Sequence, residues 1–120
     1  MRDHTKLKVF QMIDDLVMEV YLFTKGFPKE ELFGLTSQMR RAAVSAASNI
    51  VEGCARQSEA DYIHFLNIAY GSLREVAYQA SIAFRLKYLS ETNWTKFKEA
   101  CDEASRSLNR LICSLKDKYS

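Results

Sequence analysis

The chain has 120 residues, 48% of them hydrophobic, with one proline, four glycines and a formal charge of +2. That length suits one domain with a core that needs no disulfide or metal staple. So little turn punctuation argues against a sheet-rich fold, and so small a charge permits a polyanionic partner without requiring one.

The N-terminal MRDHTKLKVF lacks the apolar core of a signal peptide, and no run approaches the roughly 18 apolar residues of a membrane span. A cytoplasmic location is expected. A first helix is predicted from Thr5 to Lys25, because Val9, Ile13, Leu16, Val20 and Phe23 recur at steps of four and three, widened by Phe10 and Val17. Asp14, Asp15 and Glu19 fall off that stripe and should be solvated. Gly26 should stop the helix in a left-handed conformation, Pro28 lies just past it, and PKEELF suits one helical turn before Gly34.

The second helix, Thr36 to Ala55, is the unusual one. Ala42, Ala43, Ala46 and Ala47 join Met39, Val44, Ile50 and Val51, leaving a narrow polar stripe of Ser37, Arg41, Ser45, Ser48, Glu52 and Arg56. A helix so apolar and small should be buried on more than one side, which in a chain this short points to covering by a second copy. Thr36 or Ser37 should cap its amides, and Gly53 should allow a close contact or weaken the last turn.

Ser58, with Asp61 three residues on, resembles a capping box that opens a third helix from Glu59 to Tyr88. Tyr62, Leu66, Ala69, Leu73, Val76, Ala80 and Ala83 keep a seven-residue rhythm suited to bundle packing, while His64, Asn67, Gly71, Glu75 and Tyr78 mark another face. Ser90 should cap the fourth helix, Glu91 to Lys118. Its seam of Trp94, Phe97, Cys101, Ala104, Leu108, Leu111 and Leu115 is single, and the rest is polar. Cys54, Cys101 and Cys113 have no CxxC spacing and read as small core residues in a reducing compartment. The expectation is an all-α, antiparallel up-and-down four-helix bundle spanning residues 1–120 as one domain.

GLTSQMRRAAVSAASNIVEGCARQS followed by FLNIAYGSLREV resembles a known family. It is similar to the bacterial four-helix-bundle proteins encoded within intervening sequences of the large ribosomal RNA gene, relatives of the accessory protein of diversity-generating retroelements. The resemblance covers about Phe10 to Leu89 and is carried by Gln38, Arg40, Arg41, Ser45, Asn49, Glu52, Gly53, Arg56, Phe65, Leu66, Gly71, Ser72 and Glu75. Ala47 and Val51 stand where the family often has proline and alanine, so a kink in the second helix should be weaker. The resemblance implies a ring of bundles, a homopentamer. In the retroelement branch such a ring is strongly basic, binds nucleic acid and associates with a reverse transcriptase.

Catalytic chemistry finds little support. Asp61-Tyr-Ile-His64 approaches the Glu-x-x-His pattern of paired-metal bundles, but His4 is the only other histidine, so a surface or interface role is the simpler reading of His64. Cys54 has no histidine partner visible in the sequence, and no catalytic residue, cofactor, metal or small-molecule substrate is expected. Arg41, Glu52 and Glu75 should form a paired network between helices or subunits together with Ser45, Asn49, Arg56 and Gly71. Arg40, Arg74, Arg85, Lys87, Arg106 and Arg110 are the candidate contacts for a polyanion. The functional expectation is a non-enzymatic oligomeric binding module contacting nucleic acid or a nucleic-acid-processing partner. The alternative is a scaffold that binds only protein.

Overall fold

In the computed structural model, which describes residues 2–119 except the Tyr119 side chain, α1 is Lys8–Thr24, α2 Leu35–Cys54, α3 Glu59–Arg85 and α4 Glu91–Tyr119. Short 3-10 turns occupy His4–Lys6 and Lys29–Glu31. There is no strand among the described residues. The four helices run alternately up and down, each packing on its sequence neighbours, and α4 closes the ring onto α1. The molecule measures 46 × 23 × 21 Å, its long axis set by the 27 residues of α3 and the 29 of α4.

The core follows the predicted stripes. Val9, Ile13, Leu16 and Val20 of α1 meet Met39, Ala42, Ala43, Ala46 and Ile50 of α2. All seven residues of the α3 rhythm are buried, from Tyr62 to Ala83. On α4 the seam holds through Phe97, Cys101, Ala104 and Leu108, after which Ile112 is buried and Leu111 and Leu115 only half so. A straight helix turns by about 20° per heptad against a strict seven-residue repeat, and over these turns the drift brings the next residue inward.

The α2–α3 pair is the most extensive contact. Gly53 is the reason they close at the turn: a Cβ there would lie 3.0 Å from Phe65 Cβ and 3.3 Å from the Tyr62 carbonyl oxygen. Higher up, the Ser45 and Ser72 hydroxyls share a 2.9 Å hydrogen bond that sets the antiparallel register. Helix α1 has only 17 residues, and the segment before it takes over at its open end. Arg2 donates to the Arg56 carbonyl at 2.8 Å and to Glu59 Oε2 at 2.6 Å, with its guanidinium 4.1 Å from the centre of the Tyr62 ring. It thereby supplies a cation and a donor to the end of α2, where carbonyls lack helical partners.

Helix ends differ from the sequence reading in four places, the first being α1, which begins at Lys8 rather than Thr5. Gly26 does not adopt a left-handed conformation; its N–H donates to Phe23 O at 3.2 Å, and buried Phe27 turns the chain inward. Neither Thr36 nor Ser37 caps α2, which begins at Leu35; Glu31 Oε1 accepts from Leu35 N at 3.2 Å, while Thr36 is buried. Helix α3 stops at Arg85 rather than Tyr88. Lys87, at φ 67°, occupies the left-handed position usually given to glycine, with Tyr88 N bonded to Ala83 O at 2.8 Å and Lys87 N to Phe84 O at 2.9 Å. Ser58 and Ser90 cap α3 and α4 as expected, each accepting at 3.1 Å from the amide three residues on.

Candidate interaction surface

The polar stripe of α2 and the second face of α3 lie along one outer groove. Ser45 and Ser72 form its floor, and Asn49 Nδ2 donates back to Ser45 O at 2.8 Å and to Ser45 Oγ at 3.1 Å. One turn along each helix, that register puts Arg41 level with Glu75. Both are exposed, and no ion pair joins them among the described residues. Glu75 accepts from Gln79 Nε2 at 3.4 Å, Glu52 pairs with Arg56 one turn on, and Arg56 also lies over the Phe65 ring. The chain by itself therefore places the network residues on one face without enclosing them. Gly71 sits on the same face, where an added Cβ would meet nothing within 4 Å.

A second groove opens between α1, the α1–α2 linker and the first half of α2. It encloses about 630 Å³ and is lined by Tyr21, Leu32, Phe33, Thr36, Arg40 and Val44, with Arg41 at the rim. Arg40 Nε donates to Thr24 Oγ1 at 2.9 Å and its guanidinium lies 4.7 Å from the Tyr21 ring centre, so the side chain is fixed at the groove wall. Phe33 is 93% exposed, and Met18 and Leu22 on α1 are 59% and 65% exposed. Neither linker residue, Leu32 or Phe33, stands out from periodicity. Two adjacent large apolar residues in a short linker between Pro28 and Gly34 are the signal that could have found them.

The candidate cations are dispersed. Arg74 is committed to Asp102 at 2.9 Å and to Ser105 Oγ at 3.2 Å, and Arg40 is held as described. That pairing holds the Asp102 carboxyl below its usual range, chiefly through the Arg74 hydrogen bond. Arg85 and Lys87 flank the α3–α4 turn, whereas Arg106 and Arg110 lie exposed about 22 Å or more along α4 from its start. Three arginines, Arg2, Arg40 and Arg56, each lie over an aromatic ring.

Burial raises the Cys54 thiol and pushes Cys101 up to about 12, so both are protonated packing groups. Cys113 departs from the core reading: it is exposed on the polar side of α4. Tyr62 is also pushed to about 12, by burial first and then by neighbouring Cys54. His64 is exposed and edge-on to Phe65, and among the described residues no cluster of His, Cys, Asp and Glu could hold a metal ion. No helix among them is long and apolar enough to cross a membrane.

The bundle, its Gly53 closure and the Ser45–Ser72 register are carried by the stretch that holds the family resemblance. Residues 5–110 match the family described as 23S rRNA-intervening sequence protein. The chain belongs to that family. A crystal structure from Bacteroides thetaiotaomicron, of a protein with unknown function from the S23 ribosomal protein family, is similar in fold at a TM-score of 0.79 and 24% identity, covering 87% of this chain and 94% of that one. No curated protein matches the sequence.

Proposed function

We propose that this family member is a non-enzymatic binding module that works as a homo-oligomer, a ring such as the pentamer implied by the resemblance, within the reducing cytoplasm. The observation that carries this reading is the distribution of exposed large apolar side chains. Met18, Tyr21, Leu22, Leu32, Phe33, Val44, Val51, Ile68 and Tyr78 lie on α1, the linker, α2 and α3 and Leu86 in the α3–α4 turn, and none falls on the described part of α4. Where such side chains adjoin, as Leu32, Phe33 and Val44 do along the α1–α2 groove, they mark an interaction site. In such an assembly Arg41 and Glu75 become enclosed and pair with each other or with a neighbour's groups. Light scattering is expected to give a mass several times the 13.8 kDa of one chain. A monomer at every concentration overturns the reading.

A second reading concerns the partner. Arg106 and Arg110 are exposed one turn apart on α4, a helix with no exposed large apolar residue in its described part, and they have no acidic partner among the described residues. We infer that the assembly presents several such pairs to a nucleic acid, or to a nucleic-acid-processing partner such as a reverse transcriptase, each weak and together avid. Binding is then independent of base sequence and steeply dependent on salt. Reversing Arg106 and Arg110 to Glu should flatten the salt dependence without unfolding the bundle. Failure of the native protein to shift any nucleic acid at low salt would favour a scaffold that contacts protein alone.

A further inference from the structure

The groove between α1 and α2 has an apolar wall and a cationic rim with no acid facing it. Tyr21, Leu32, Phe33 and Val44 supply the wall, and Arg40 and Arg41 the rim. Arg41 has no partner among the described residues, and Arg40 uses only its Nε. A guanidinium carries five donors, so most of this capacity is open to an incoming carboxylate. The complementary surface is on the same chain. Asp15, Met18, Glu19 and Leu22 are all exposed on α1 at the i, i+3, i+4, i+7 spacing by which one helix anchors in another's groove.

That stripe carries two carboxylates and two apolar side chains and lies on the α4 side of α1, beside Phe97, Ala100 and Glu103. Its acids lack a counter-charge: Lys8 and Lys96 border it, yet neither is within ion-pair distance of Asp15 or Glu19 among the described residues. Partial burial and the nearby Asp15 charge both raise the Glu19 carboxyl above its usual range, so an approaching guanidinium would relieve it.

We propose that the groove of one copy seats the Asp15, Met18, Glu19 and Leu22 stripe of a second copy, with carboxylates meeting Arg40 and Arg41 and the apolar side chains meeting Phe33 and Val44. This rests on the homo-oligomer reading and specifies its contact. Tyr21 in the groove and Glu19 in the stripe lie on opposite sides of α1, so the contact joins unlike patches. A contact of that type leaves one groove and one stripe unused at the ends of any open string, and it is satisfied throughout only when the string closes into a ring.

The test is charge reversal read by sedimentation velocity, with circular dichroism melting as the fold control. Arg41→Glu alone and Asp15→Lys/Glu19→Lys together should each reduce the assembly to monomer while leaving the helical signal intact. Combining all three in one chain restores opposite charges across the contact and should return the native mass. In an equimolar mixture each groove meets a stripe of opposite charge only on the other protein, so the two should associate by alternation where neither associates alone. If a reversed protein fails to fold, Arg41→Gln and Glu19→Gln take its place, and each should weaken assembly at least tenfold. Native mass in folded Arg41→Glu and in folded Asp15→Lys/Glu19→Lys would put some other occupant in the groove and overturn the proposal with the oligomer intact. A combined chain that stays monomeric overturns it as well, whereas a monomeric native protein overturns the oligomer reading itself.

Discussion

Helix α4 and the α1–α2 side of the bundle draw on the same kinds of apolar side chain, yet only α4 puts them all away. Its exposed residues in the described part are polar apart from the Cys113 thiol, and its seam is buried from Phe97 to Leu108 and half-buried at Trp94, Leu111 and Leu115. On the other side Leu22 is 65% exposed and Phe33 93%. The difference teaches that one chain completes its own core around α4 but leaves a second apolar layer open around α1 and the linker. What stabilises the fold and what serves association are therefore separable by substitution.

The largest effect expected is on α4. Leu108→Asp places a carboxylate where the native side chain is fully buried, costing several kcal/mol and the cooperative melting transition. Leu22→Asp, on the open side, should stay within about 0.5 kcal/mol for the isolated chain, because it removes little buried surface. Equal losses in the two variants would break the comparison. Denaturant melts at a concentration where the protein is dissociated supply the measurement.

Two glycines sharpen it next. Gly53→Ala forces Phe65 or the Tyr62 backbone to move and should cost about 1–3 kcal/mol. Gly71→Ala meets nothing within 4 Å and should stabilise the isolated chain by about 0.5–1 kcal/mol, since glycine is a poor helix former. A gain of about 1 kcal/mol or less is also expected for Lys87→Gly, which relieves a left-handed backbone at the α3–α4 turn. Differential melting curves rank all three.

What the sequence made legible follows from periodicity. The four helices, their stripes and the Ser58 and Ser90 caps depend on local spacing and appear where expected. The cap of α2 by Glu31 was not legible because the acceptor lies in a separate turn, where Glu31 Oε2 also accepts from the Tyr88 hydroxyl at 2.9 Å. Arg2 was missed for the same reason: its partners are more than fifty residues away, and no local pattern encodes them. Among the candidate cations, Arg74 looks free in the sequence because Asp102 comes from another helix. Arg41 and Glu75 share one face, since helical spacing alone decides that, but a single chain leaves the face open.

The smallest effect expected is electrostatic. The Asp102 carboxyl is held below its usual range in the folded state, so its contribution is fully present above the ordinary carboxylate pKa of about 3.9 and fades as pH falls through the lowered folded value. Asp102→Asn should remove that part of the acid sensitivity and leave stability near neutral pH slightly reduced. Equal acid midpoints in the two proteins would show that the Arg74 pair contributes nothing. Because this pair bridges α3 to α4, the change belongs to the completed side of the bundle and should leave assembly untouched.

The separation of fold from association is tested most directly by sedimentation velocity on three proteins at matched concentration: native, Phe33→Ser on the linker and Glu99→Ser on the outside of α4. The native protein and Glu99→Ser should sediment as the same oligomer, and Phe33→Ser as a folded species of 13.8 kDa with a melting curve like that of the dissociated native chain. One common sedimentation coefficient for all three, whether oligomeric or monomeric, would contradict the account.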